Sequence, residues 1–234
     1  MTTSAFNNGK PTALITGASG GIGLEMAQIF AREGYNLVLV ARSTEKLEAL
    51  AAELSAKHGI QTLALSSDLA APEAPQQVYD QVSARNVAVE VLVNNAGVGN
   101  YGPFHENEME TDLTVARLNM IALTHLTRLF LPGMVQRKRG RILNVASTAA
   151  FLPGPLMAVY YASKHYVLAL SEALAEELAN TGVSVSTLCP GPTRTGFGPR
   201  AGWRGVGMLG AAEADDVAAA GLAAAYQAPL AGAV

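Results

Sequence analysis

Apolar residues are arranged along this chain in two alternating patterns. Six short, β-rich runs stay apolar on consecutive positions: "TALIT" at 12–16, "NLVLVA" at 36–41, "QTLALS" at 61–66, "VEVLV" at 89–93, "RILNVA" at 141–146 and "VSVSTLC" at 183–189. Between them lie stretches of helical period near 22–33, 44–57, 73–85, 109–137, 157–180 and 213–226. A strand that is apolar on both faces needs cover on both faces, and a helix after each strand supplies it. The expected fold class is therefore α/β, a single doubly wound domain over 1–234 whose parallel sheet has six to seven strands with helices on both faces. One long irregular stretch remains, "GPTRTGFGPRAGWRGVGMLGAAE" at 191–213. Its glycines and scattered bulky apolar residues read as a substrate lid.

Composition narrows the partners. Half of the 234 residues are hydrophobic and 15% are charged, the balance of a compact globular protein. A net charge of −3 offers no general attraction to nucleic acid or to an anionic membrane surface. The cluster "RKRGR" at 137–141 reads as a solvated helix C-terminus. The first ten residues lack the features of a secretory signal, and no run of eighteen apolar residues exists, so a cytoplasmic location is expected. Cys189, the sole cysteine, fits that compartment and reads as a small buried residue at a strand end. His58, His105, His125 and His165 show no metal-ligand spacing, and no metal is expected.

The first strand runs into "TGASGGIG" at 16–23 and then straight into a helix. Glycines at 17, 21 and 23 permit a tight turn and close backbone approach, while the free N–H groups of the new helix suit a pyrophosphate; a plain structural turn is the alternative. At the end of the second strand an NAD site wants a carboxylate for the ribose hydroxyls, yet "VARSTEK" supplies Arg42 and Ser43. A guanidinium pairs with a 2′-phosphate, so NADP(H) is favoured over NAD(H); a merely solvated Arg42 is the alternative. Asp68 either accepts from an adenine amino group or caps the next helix.

Further motifs fall in order along nearly the whole chain: "NNAG" at 94–97, Asn119 in "RLNMIA", Ser147 thirteen residues before Tyr160, "YYASK" at 160–164 and "PGPTRT" at 190–195. Together with the glycine turn they resemble the short-chain dehydrogenase/reductase family, in its non-extended branch, whose domain is of the Rossmann type. Residues i and i+4 of a helix share a face, so Tyr160 and Lys164 look into one cleft while Tyr161 serves packing or the pocket wall. A phenol has a pKa near ~10, and lowering it to about 7 takes ~4 kcal/mol, which Lys164 and the positive nicotinamide ring are expected to provide. Tyr160 is then the base, or in reduction the proton donor, and Ser147 orients the carbonyl oxygen. The resemblance implies further that Lys164 grips the nicotinamide ribose and that Asn119 holds a proton-relaying water. It also implies that the cofactor lies against Gly17, Ser19, Gly21, Ile22, Gly23, Arg42, Ser43, Asp68, Leu69, Asn95, Ala96, Gly97, Tyr160, Lys164, Pro190, Gly191, Thr193 and Thr195.

The expected activity is an NADP(H)-dependent interconversion of a carbonyl and an alcohol. A catalytically idle dinucleotide sensor or scaffold is the alternative, against which the intact Ser147, Tyr160 and Lys164 set argues. "VGNYGPF" at 98–104, "TAAFLPGPLM" at 148–157 and lid residues Phe197, Trp203, Met208 and Leu209 are mostly apolar, so a neutral, lipophilic substrate is expected. Arg194, Arg200 and Arg204 in the same lid offer the alternative of an anionic tail such as an acyl carrier thioester. The family's seventh strand has no clear counterpart near "PLAGAV" at 229–234, and a homodimer or homotetramer built on the helices around 109–137 and 157–180 is expected.

Overall fold

Every residue of the runs at 12–16 and 36–41 is buried, which only a sheet covered on both faces achieves. The structure, a computed structural model, describes residues 6, 8–202 and 211–227. Its strands are β1 (Thr12–Thr16), β2 (Asn36–Ala41), β3 (Thr62–Ser66), β4 (Val89–Asn94), β5 (Gly140–Val145) and β6 (Val183–Leu188), all parallel in the order β3-β2-β1-β4-β5-β6. The helices are α1 (Gly21–Arg32), α2 (Thr44–His58), α3 (Ala74–Ser83), α4 (Met109–Ala116), α5 (Leu123–Gln136), α6 (Ala158–Glu177), α7 (Phe197–Arg200) and α8 (Ala214–Gln227). The chain winds outward from β1 to β3 and then, beginning again at β4, outward the other way. That reversal leaves a crevice beyond the carboxyl ends of β1 and β4, where ligands of such sheets sit.

Strand periodicity divides the core in two. Ala13, Ile15, Leu37, Leu39, Val91 and Val93 face Met26 and Phe30 of α1, Leu47 and Leu54 of α2 and Leu222 of α8. Leu14, Val38, Val40, Leu92 and Ile142 face Val78 of α3 and Leu126, Phe130 and Met134 of α5. Each fully buried large side chain of this kind contributes roughly 1.5–3 kcal/mol. A bulge between β1 and β4 skips Glu90, so Val89 shares a face with Leu92, and the displaced carboxylate meets Arg139 at 2.7 Å. Amide N–H groups inside the second half of the sheet find acceptors: Asn94 Nδ2 donates to Asn144 Oδ1 at 2.9 Å and to Thr127 Oγ1 at 3.0 Å, and Asn144 Nδ2 donates to Ser171 Oγ at 2.9 Å, while Asn94 Oδ1 is buried without a hydrogen-bond partner among the described residues.

The helical stretch expected over 109–137 is not one helix. A π-helical turn at Arg117–Ala122 separates α4 from α5, adding a residue to that turn without breaking the apolar stripe, which is why periodicity alone passes over it. Asn119 sits within it. Within the described part of the expected lid, α7 spans four residues, and the neck is closed by a bridge in which Arg194 N donates to Ala212 O at 2.9 Å and Ala212 N to Pro192 O at 3.0 Å. Arg194 Nε pairs with Glu213 at 3.2 Å, so this arginine has a structural partner at the neck. Trp203, Arg204, Met208 and Leu209 lie outside the described residues, as does the region of an expected seventh strand. Among the described residues no helix is long and apolar enough to cross a membrane, and no cluster of metal-ligating side chains occurs.

Replacing Asn144 by Val leaves Asn94 Nδ2 and Ser171 Oγ short of a partner in a dry interior. The variant is expected to lose about 2–3 kcal/mol of stability, read from urea unfolding midpoints at constant slope.

Candidate active site

The turn after β1 is built around contacts that leave no room for side chains. Gly17 has φ +69°, and a Cβ there would stand 2.8 Å from Asn95 Nδ2; at Gly23 it would stand 2.5 Å from both Asn95 Nδ2 and the Gly17 carbonyl. Asn95 causes this closeness, since its Nδ2 donates to the Thr16 carbonyl at 2.9 Å. The Thr16 hydroxyl completes the seam by accepting from the N–H groups of Asn95 and Ala96, each at 3.0 Å, and donating to Val93 O at 3.2 Å. The N-terminus of α1 opens onto the cleft with no capping side chain and no acid in its first turn. A cradle of bare N–H groups at the positive end of a helix fits a pyrophosphate.

This cradle is one end of a cleft of about 590 Å³, a size typical of small-molecule sites. Of the expected cofactor residues, Gly17, Ser19, Gly21, Ile22, Arg42, Ser43, Asp68, Leu69, Asn95, Ala96, Gly97, Tyr160, Lys164, Pro190, Gly191, Thr193 and Thr195 line it. Gly23 does not; it is buried in α1, and its lack of a side chain serves the packing of Asn95 against the Gly17 carbonyl. Asp68 does not cap α3, whose N-cap is Glu73; instead its carboxylate accepts from Ala70 N at 3.2 Å within its own turn. At the far end, Arg42 and Ser43 are joined by Lys46, which the sequence reading passed over. Its signal was present, since Lys46 follows Arg42 by four residues at the start of α2. Neither cationic side chain has an ion pair among the described residues.

At the other end stand Ser147, Tyr160 and Lys164, all on the cleft wall. Ser147 leaves β5 in an extended conformation, its Oγ accepting from Ala149 N at 3.1 Å and donating to Pro190 O at 3.3 Å. Lys164 is 5% exposed, donates to Val145 O at 2.8 Å, and lies 5.7 Å from the centroid of the Tyr160 ring. The expected acid shift rests on Lys164 together with the positive nicotinamide ring; among the protein's own groups burial is the larger influence on the phenol. Burial raises the Tyr160 pKa above its usual value, with the Ser147 hydroxyl pulling it part of the way back. Burial also lowers Lys164 to about 8, which leaves it mostly cationic at neutral pH. Desolvation is thus the largest influence on both groups.

Asn119 stands behind the cleft, 2% exposed, and is absent from its lining. Its amide is fully engaged: Oδ1 accepts from Val98 N at 3.0 Å, and Nδ2 donates to Val98 O at 2.9 Å and Ser163 Oγ at 3.0 Å. The side chain therefore positions the loop after β4. Tyr161 forms pocket wall, its ring so close over Gly154 that a Cβ there would overlap it. Phe197 of α7 packs on Tyr160 with ring centroids 5.2 Å apart, and Thr195 lies across Gly21, its Cγ2 3.0 Å from where a Cβ would be. Cys189 is half-buried just past β6 and its thiol pKa is raised by burial, in keeping with a packing role.

Lys164 makes this site unstable by itself. Its folded pKa, about 8, lies below the ordinary 10.5, so the folded chain releases this proton first and stability rises as pH climbs from about 8 to about 10.5. Lys164→Met is expected to abolish that rise and to stabilise the protein near neutral pH by about 2 kcal/mol, the desolvation gain less one hydrogen bond, read from urea unfolding across that pH range.

Comparison with known proteins agrees with this geometry. The sequence pattern of the short chain dehydrogenase family matches residues 11–202. The chain is 40% identical over 186 residues to a very-long-chain 3-oxoacyl-CoA reductase of Phaeosphaeria nodorum, covering 78% of this chain and 54% of that one. It thus spans about half the length of the curated relatives it matches. Among solved structures, a short-chain dehydrogenase from Sphingobium yanoikuyae in complex with NADPH superposes with a TM-score of 0.85 at 40% identity, over 91% of this chain and 83% of that one. The bulky-bulky ketone specific alcohol dehydrogenase from Comamonas testosteroni gives 0.80 at 31% identity, over 91% and 81%. With its parallel sheet, glycine cradle and Ser147, Tyr160 and Lys164 on one wall, this chain belongs to the short-chain dehydrogenase family.

Proposed function

We propose that the chain is an NADP(H)-dependent carbonyl reductase with a lipophilic ketone or aldehyde substrate. The observation that carries this reading is the opening of Ser147, Tyr160 and Lys164 onto the same cleft as the glycine cradle. Arg42 and Lys46 at the cradle's far end form a two-cation seat for a 2′-phosphate, and the absence of a carboxylate at Arg42 removes the usual partner of an unphosphorylated ribose. The bound dinucleotide supplies the hydride. Everything else is done by side chains of the protein. Ser147 hydrogen-bonds the substrate oxygen, and Tyr160, held protonated at neutral pH by its raised pKa, delivers the proton to that oxygen. That protonation state is the one that reduction uses. Lys164 keeps a positive charge beside the phenol and spares it full desolvation of the anion once the proton has left.

A 3-oxoacyl thioester is the second reading. It is favoured by the 40% identity to a reductase of that name and by Arg200, an exposed guanidinium on the cleft wall able to meet an anionic tail. Adding such thioesters to the ketone panel separates the two.

Tyr160→Phe is expected to reduce turnover of NADPH with lipophilic carbonyls by about 10²- to 10⁴-fold while leaving cofactor affinity unchanged. Tyr161→Phe is expected to keep turnover within a few-fold. Equal losses in both, or an unaffected Tyr160→Phe, would reject the assignment of Tyr160, and a wild-type chain that turns over no carbonyl of the panel would favour an idle sensor. For the cofactor, replacing Arg42 by Asp is expected to shift the NADPH to NADH preference by about 100-fold or more, and Lys46→Ala by about tenfold, each measured as a ratio of kcat/KM.

A further inference from the structure

Phe197 occupies the space beside the candidate proton donor. Its ring lies 5.2 Å from that of Tyr160, tilted by 46°, on the cleft wall that a carbonyl must approach to reach the phenol. What holds it there is the absence of a side chain at Gly99. A Cβ on Gly99 would stand 2.8 Å from Phe197 Cζ, 3.2 Å from Met157 Cε and 3.4 Å from Ala201 Cβ, so the ring is seated flush against bare backbone. The short helix that carries it is anchored from both ends: Phe197 N donates to Thr195 Oγ1 at 3.2 Å, and the buried Ala201 returns its N–H to Phe197 O at 2.9 Å.

A ketone whose oxygen is within hydrogen-bond reach of Tyr160 projects two substituents, and one of them must share the space bounded by Phe197 and Met157. We propose that Phe197, seated by Gly99, sets the size limit for one substituent of the carbonyl, so that the substrate class is ketones with one small and one long apolar arm. This rests on the reductase reading and makes it more specific. A 3-oxoacyl thioester carries bulk on both sides of its ketone and is admitted only with Phe197 displaced, which sets this chain apart from a reductase tuned to such substrates.

Two isomeric ketones isolate the effect, because methyl nonyl ketone and dipentyl ketone have the same composition and differ only in how carbon is divided about the carbonyl. The full chain is expected to prefer methyl nonyl ketone in kcat/KM by about tenfold or more, the discrimination that a few methylenes in an apolar pocket produce. Phe197→Ala is expected to lower that ratio about tenfold, with Phe197→Leu between, and Gly99→Ala, which takes up room at the ring's seat, to raise it. General loosening of the fold lowers both rates and leaves the ratio unmoved, so the ratio is the readout. An active Phe197→Ala enzyme with the wild-type ratio, or a Gly99→Ala enzyme that gains on dipentyl ketone, overturns the assignment alone. A wild-type chain that oxidises no NADPH with either ketone overturns the reductase reading beneath it.

Discussion

Thr16 ends β1 with its hydroxyl turned toward β4, and that oxygen takes two backbone N–H groups and gives its own proton to Val93. The crossovers of a doubly wound sheet leave in opposite directions at this point, while β1 and β4 stay paired as far as Ile15 and Val93. Asn95 ties the junction from the other side by donating to the Thr16 carbonyl. Three consequences follow from one junction. Gly17 is forced into a left-handed conformation under the amide, Gly23 must stay bare to let α1 start, and Ala96 and Gly97 are turned into the cleft as its floor. The site is thus a by-product of stitching the sheet together, and the pyrophosphate cradle, the loop toward Asn119 and the floor beneath Tyr160 inherit their geometry from it.

The candidate catalytic wall sets stability against the proposed chemistry. Lys164 is sunk among apolar neighbours with a single carbonyl for a partner, and Tyr160 is buried enough for its neutral form to be favoured. Both groups would be more comfortable in water. Keeping the ammonium dry preserves the strength of its field over the few ångströms to the phenol, where a solvated charge would be screened. Keeping the phenol dry leaves it as an acid at neutral pH. Sites that store this kind of unfavourable energy depend on a rigid surround, and here β4, β5 and α6 provide it through the hydrogen bonds that link Asn94, Asn144 and Ser171.

The architecture was largely legible because two-sided burial leaves a signature that single residues cannot: runs such as "NLVLVA" have no polar face to give away. The cradle was legible because Gly17 and Gly21 fall between a strand and a helix. What burial does to ionisation was not legible. Spacing puts Lys164 one turn from Tyr160, but whether attraction or desolvation wins depends on what surrounds them, and the surround comes from four distant segments. Asn119 was found by its position in the order of motifs, yet its engagement with Val98 and Ser163 needs a π-helical turn that no periodicity announces. Gly23 was taken for a ligand contact because a turn glycine and a packing glycine look alike in a string of letters. Lys46 was overlooked for the opposite reason, since a lysine in the first turn of a surface helix is ordinary until the cleft is seen to reach it.

The contact of Thr195 with Gly21 joins residues that leave the ribosome far apart in time. Its methyl rests on the turn that follows the first strand, and the Pro190 carbonyl beside it is what Ser147 and Thr148 lean on. A nascent chain that has delivered five strands therefore owns the floor of the cleft without its roof. The cleft is closed only when the sixth strand and the segment beyond it have been made, so its wall is completed by a late part of the fold to leave the ribosome.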